Sequence, residues 1–196
     1  MNYTEWRATF NKTAEEVEDV EMPEETEASK EAEGIEDTDE DAADGSDTTI
    51  TDMLRKILAD EIVSYYAYFA GAKNIRGENW MDVKQEFEQH AGDEKDHFET
   101  VFDRLYQLGC NCQDMLKDVE SNAGYYWDVD TIEPKKAAEI AETAEKKAVE
   151  AYEKLLAYIA GQSPDKRDYA TEKLAKEHLE TEEDHRQDME RLVAEF

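Results

Sequence analysis

All four histidines of this 196-residue chain fall into two copies of one pattern, His-x-x-x-Glu-x-Asp-His, at residues 90–97 and 178–185. On a helix of 3.6 residues per turn, positions i, i+4 and i+7 share a face. His90, Glu94 and His97 therefore line up, as do His178, Glu182 and His185. The stripe they occupy is otherwise apolar. Around the first copy it reads Val83, Phe87, Val101, Leu105 and Leu108; around the second, Leu174, Met189 and Leu192. A carboxylate in a core stripe costs several kcal/mol of desolvation unless a cation or hydrogen bonds compensate. Any fold of this chain must supply that compensation in one place.

The same period runs through four segments from Thr48 onward. The first, expected at 50–75, carries Leu54, Leu58, Glu61, Tyr65, Tyr68 and Ala72, with Thr48 or Thr49 to cap it and Gly77 just past its end. The second, at 80–108, follows Asn79 and stops at Gly109. The third, at 134–160, opens with Pro134, closes at Gly161 and presents Ala138, Ala141, Glu145, Ala148, Tyr152, Leu155 and Ile159. The fourth is expected at 164–195, with Ser163-Pro164-Asp165 as its cap and first turn. Short links around Gly77 and at Gly161-Gln162-Ser163 predict two antiparallel hairpins. Residues 110–133 include Tyr125-Tyr126-Trp127 and room for a short helix at 113–119. They are long enough to run the length of the bundle. The fold class is all-α, a four-helix bundle with one long crossover between helices two and three.

The hairpins match each other. Glu61 is followed by Ser64 and Tyr68 at +3 and +7, and Glu145 by Ala148 and Tyr152 at the same offsets. Each half supplies one glutamate from its first helix and Glu-x-x-His (Glu94/His97, Glu182/His185) from its second, on one face. A pseudo-twofold di-metal site follows. Its four carboxylates would neutralise two divalent ions. Carboxylate and imidazole donors suit iron or manganese, with zinc as a redox-inert competitor. An acidic surface face with satisfied core histidines does not account for the leucines, valines and alanines in the same stripe.

Composition separates the two ends of the chain. Of the net charge of −30, half falls in residues 11–50, where 17 acids face only Lys12 and Lys30. That stretch holds too little apolar surface to offset its ordering entropy. The expected division is a disordered acidic extension over 1–47 and a bundle domain over 48–196. Within the extension, Tyr3, Trp6 and Phe10 recur at helical spacing, so 3–10 reads as a short amphipathic docking segment or as an exposed tail. So acidic a chain repels nucleic-acid phosphates and anionic membranes. No apolar run approaches the ~20 residues that span a bilayer, and no signal-peptide stretch follows Met1. Cys110 and Cys112 are too close together for an unstrained bridge and too few for a disulfide framework, which fits a reducing cytoplasm.

These residues resemble the ferritin-like di-iron carboxylate superfamily, over about 50–195. Glu94-Lys-Asp-His97-Phe98-Glu99 with Arg104-Leu105-Tyr106-Gln107-Leu108-Gly109, and Glu145-x-x-Ala148-Val149-x-x-Tyr152 with Glu182-Glu183-Asp184-His185, look like the Dps-like proteins related to bacterioferritin. The resemblance implies Glu61 and His97 as terminal ligands of one metal, Glu145 and His185 of the other, and Glu94 and Glu182 as bridges. It makes Tyr68 a candidate electron donor beside them. It also implies two iron ions per subunit, oxidation of Fe2+ by H2O2 or O2 for iron storage or oxidative-stress defence, and a homo-oligomeric cage. Lys95 stands where haem-binding bacterioferritins have methionine, so no haem is expected. Dps-like relatives often have a cysteine on the third helix, where this chain has Leu155 and Leu156. His90 and His178 match no family ligand and read as partners of the bridging glutamates or as part of a third metal position. A manganese catalase-like or oxygenase-like enzyme on the same site, or a non-enzymatic metal scaffold, stays open.

Overall fold

The computed structural model describes residues 48–196 apart from 112, 114, 116–118, 125–126, 128–129 and 132. The acidic extension and its aromatic segment at 3–10 lie outside the described residues. Four long helices form the bundle: α1 (Thr48–Asn74), α2 (Trp80–Gln107), α4 (Pro134–Ala160) and α5 (Tyr169–Ala194). A one-turn helix, α3 (Val119–Asn122), lies in the crossover. The expected helix at 113–119 falls largely outside the described residues, although Gln113 and Met115 are helical. No strand occurs among the described residues, and none of the helices is long and apolar enough to cross a membrane.

The ends of the helices follow from local chemistry. Between α1 and α2 the chain reverses through Gly77 and Asn79, both with positive φ (115° and 57°), a conformation that glycine and asparagine tolerate best. α2 stops at Gly109, whose φ of 84° lets its N–H bond Tyr106 O and the Cys110 N–H bond Leu105 O, a Schellman closure. α4 starts where Glu133 accepts the Lys136 N–H and Pro134 needs no donor of its own.

The fourth helix corrects the sequence reading. Ser163-Pro164-Asp165 forms a turn closed by Lys166 N–H to Ser163 O, and α5 begins only at Tyr169. Asp168 is the true cap. Its carboxylate accepts the N–H groups of Ala170 and Thr171, while the Arg104 guanidinium holds it at 2.7 Å. That ion pair ties the start of α5 to α2. A cap anchored to a neighbouring helix prevails over one supported only by its own turn.

Helices α1 and α2 pair as one hairpin, α4 and α5 as the other; α1 also packs on α4, and α2 on α5. The apolar core is split in two. One cluster gathers Ala72, Ile75, Val83, Phe87, Ala138, Ala141, Met189 and Leu192; the other gathers Leu54, Leu58, Val101, Leu105, Leu155 and Ile159. Burying each of the large side chains stabilises the fold by roughly 1.5–3 kcal/mol. The crossover adds Trp127, whose ring meets Tyr68 edge-on at 4.7 Å, and its Gly124 N–H donates to Asp60. Between the two clusters lies a polar layer, and all the histidines are in it.

Candidate metal centre

The layer is built one turn at a time. α1 contributes Glu61, α2 Glu94 and His97, α4 Glu145, and α5 Glu182 and His185; none is more than 6% exposed. Donor atoms of Glu61, Glu94, His97 and Glu182 lie within 4.8 Å of one another, and so do those of Glu94, Glu145, Glu182 and His185. Glu94 and Glu182 belong to both groups. The six residues picked out by spacing are thus brought together in two overlapping quartets. Tyr68 joins them, fully buried, with its hydroxyl donating to Glu145.

Whether these residues fit metal ions can be asked of their own atoms. Buried polar atoms are normally hydrogen-bonded. Here both oxygens of Glu94, both of Glu182, and Nδ1 of His97 and His185 have no hydrogen-bond partner. His97 Nδ1 lies 2.7 Å from Glu182 Oε1, and His185 Nδ1 lies 3.4 Å from Glu94 Oε1, close enough for Coulombic pairing but without hydrogen-bond geometry. These atoms are crowded together without hydrogen-bonding one another. Oxygen and nitrogen donors so arranged fit divalent first-row ions.

Electrostatics show what the layer costs. Burial, reinforced by the Glu182 charge, pushes Glu94 and Glu145 well above the ordinary carboxylate range. Glu182 goes the other way: burial opposes its charge, but His185 and His97 outweigh burial and hold it ionised. Burial likewise opposes charge on His97, and Glu182 and Glu61 overcome it, raising that imidazole to about 10. His185 is raised by Asp93, Glu182 and Glu94 against the same opposition.

Around the donors stand groups that orient them. The Tyr152 hydroxyl donates to Glu61, the counterpart across the pseudo-twofold of Tyr68 on Glu145. Asp93, held below its usual pKa first by the hydrogen bond from His185, accepts from His185 Nε2 at 3.3 Å. A carboxylate that accepts at Nε2 leaves Nδ1 free to bind a cation. His178 is fully engaged, with Nδ1 2.8 Å from the Tyr152 hydroxyl and Nε2 2.9 Å from Thr100 Oγ1. His90 has neither nitrogen engaged. The two extra histidines stack on the two candidate ligands, His90 on His185 at 3.9 Å and His178 on His97 at 4.2 Å.

A family model described as a ferritin-like domain matches residues 51–196. The chain belongs to the ferritin-like family. Among solved structures, a dodecameric thioferritin of Bacteroides fragilis, described as bacterioferritin-related, is 27% identical, with a TM-score of 0.67 over 76% of this chain and 86% of that one. The Vibrio cholerae Dps protein, described as one of the ferritin-like diiron-carboxylate proteins, is 15% identical, with a TM-score of 0.64 over 74% and 89%. Antigen TpF1 of Treponema pallidum is 18% identical, with a TM-score of 0.67 over 74% and 92%. Among curated proteins, none matches this sequence.

Several residues of this ferritin-like centre escaped the sequence reading. Tyr152 had a signal, its +7 offset from Glu145 repeating that of Tyr68 from Glu61. Asp93 and Thr100 had none, since single acids and threonines abound along these helices. The described cysteine, Cys110, sits past the end of α2 against the apolar cluster of Leu54 and Leu105, while Cys112 lies outside the described residues.

Proposed function

We propose that this ferritin-like protein is a ferroxidase that binds two Fe2+ per chain and lets H2O2 or O2 oxidise them, in the service of iron storage or oxidative-stress defence. The observation that carries the reading is the layer of unpartnered, crowded donor atoms on Glu94, Glu182, His97 and His185, sealed between two apolar clusters. Each Fe2+ is a substrate that gives up one electron.

The chain's own residues do the rest. Glu61 and His97 hold one ion, Glu145 and His185 the other, and Glu94 and Glu182 span both. The Tyr68 and Tyr152 hydroxyls fix the outer carboxylates, and Asp93 fixes the His185 ring. Neighbouring carboxylates favour protons on the His97 and His185 rings, and burial with neighbouring charge favours them on Glu94 and Glu145. Any such proton must leave as a cation arrives, so loading and proton release are coupled. Tyr68, in hydrogen-bond contact with Glu145, would be the electron donor when O2 takes more electrons than the two Fe2+ supply. Like the dodecameric relative, the chain would assemble as a homo-oligomeric cage, working in the cytoplasm.

The test pairs metal counting with stopped-flow Fe2+ oxidation in Glu94→Ala and Glu182→Ala. Loss of an orienting residue outside the ligand set typically costs 10–100-fold. Loss of a bridge is therefore expected to slow oxidation by at least about 100-fold and to abolish paired binding while the helices persist. Unchanged kinetics in both variants would refute the assignment. Rapid peroxide disproportionation without Fe2+ consumption would favour the catalase-like alternative.

A further inference from the structure

The two stacked histidines do not end alike. His178 has a partner on each nitrogen. His90 is completely buried, and neither of its nitrogens has a hydrogen-bond partner. Its Nε2 points between two carboxylates, 3.9 Å from Glu86 Oε2 and 3.9 Å from Asp188 Oδ2. Donor atoms of all three lie within 4.8 Å of one another. Two donors each ~2.1 Å from one ion cannot be more than ~4.2 Å apart, so both pairs of atoms are within reach of a shared cation once the two carboxylates swing slightly inward.

The carboxylates are poised for it. Arg191 takes Oδ1 of Asp188 at 2.8 Å and leaves Oδ2 facing His90. Glu86 has its pKa raised by burial and by the Asp188 charge, so the two acids repel across the His90 edge. Both side chains are about 30% exposed (31% and 29%), which leaves one side of the cluster open to water. A departure from the internal repeat explains why, among the described residues, His178 has no matching pair of acids. At the repeat offset of 88 residues, Asp188 corresponds to Thr100 and Glu86 to Leu174. The counterpart of an acid that faces His90 is thus the hydroxyl that satisfies His178.

We propose that Glu86, His90 and Asp188 form a third divalent-cation site, on the solvent side of the Glu145–His185 half of the centre. Two carboxylates and one imidazole, completed by water, suit Fe2+, Mn2+ or Zn2+. His90 also shares a compact group with Glu145 and His185, all buried. An ion held at the outer site stands one ligand exchange from the inner one. This loading role rests on the ferroxidase reading; the site itself does not.

The probe is Zn2+, counted by elemental analysis on the full-length protein in 0.15 M NaCl with excess Mg2+ to suppress diffuse binding. Wild-type protein and the variants Glu86→Gln and Asp188→Asn are compared, each first checked for an unchanged helical spectrum. The expected result is one Zn2+ per chain fewer in both variants, with the remaining pair retained. An unchanged count overturns the site. Loss of all ions also overturns it, by showing that these carboxylates belong to the pair. Stopped-flow oxidation then tests the loading role. With limiting Fe2+ the variants should be slower by about 10-fold and at saturating Fe2+ equal to wild type. Equal rates at both concentrations remove the loading role and leave the count to decide the site.

Discussion

The half of the centre around Glu61 and His97 and the half around Glu145 and His185 repeat each other in ligand spacing and differ in nearly everything beside it. Next to His97 stand hydroxyls: Tyr152 and Thr100 satisfy His178, which stacks on the ring. Next to His185 stand acids: Asp93 on Nε2, with Glu86 and Asp188 facing the stacked His90. Glu61 is preceded by Asp60, raised to about 6 by burial although Gly124 donates to it, where Glu145 is preceded by Ala144. Duplication sets where the donors are. Substitutions one turn away give the two halves different surroundings and, on the ferroxidase reading, would decide how strongly each draws a cation.

Breaking one half at a time exposes that difference most directly. Glu61→Ala and Glu145→Ala should each reduce the count to one tightly held ion at the pair and slow Fe2+ oxidation by about 100-fold or more, since two-electron chemistry needs both. The survivor should bind more tightly in Glu61→Ala, which leaves the acid-lined His185 half intact. Calorimetric titration with Zn2+ reads both numbers. Equal residual affinities would mean that the surrounding acids do not matter.

A smaller effect, shared by both halves, is thermodynamic. A cation at a hundredfold excess over Kd stabilises the fold by about 2.7 kcal/mol, or roughly 5–10 °C in Tm for a bundle of this size. The sign of its pH dependence follows from His97. Its pKa rises from 6.5 to about 10 in the fold, so its contribution without metal is complete below pH 6.5 and fades as pH climbs through 10. Cation binding requires that same proton to leave, so it strengthens over the same range. The Tm increment produced by Zn2+ should therefore widen from pH 6 to pH 8. Binding enthalpies should also change with buffer, reporting release of at least one proton. An increment independent of pH and buffer would show His97 neutral before binding.

How far these contrasts could be read in advance depends on geometry. The stripe was legible because burial and periodicity coincide: Val83, Phe87, Val101 and Leu105 on α2 and Ala138 through Ile159 on α4 are all buried as their spacing demands. Tyr65, Leu108 and Leu174 sit at the margin of the stripe and are only half-buried. The six donors were legible as deviations from an apolar pattern. Asp93, Glu86 and Asp188 were not, because on helices this rich in acids a carboxylate at the stripe's edge looks the same whether it faces a histidine or water. The late start of α5 was hidden for a related reason. Asp168 prevails as cap through Arg104, a residue 64 positions away, and no local pattern carries that information.

The smallest expected effect is the sharpest probe of the asymmetry. Asp93 touches no shared donor; it accepts from His185 Nε2 and thereby keeps Nδ1 free and the ring aimed at the pair. In Asp93→Asn the amide can still accept through its oxygen but contributes no charge. Imidazolium is then stabilised less, and the ring is also a weaker donor to a cation. Affinity of the His185 half should fall by about 10-fold, the modest end of what orienting partners contribute, while the His97 half keeps its affinity. Asp93→Ala removes the acceptor altogether and should cost more. The order wild type, Asn, Ala in one binding step, with the other step unmoved, is the signature of an orienting charge. A uniform loss in both steps would mean that Asp93 acts through the overall field of this acidic chain. The two halves would then be equivalent in strength as well as in spacing.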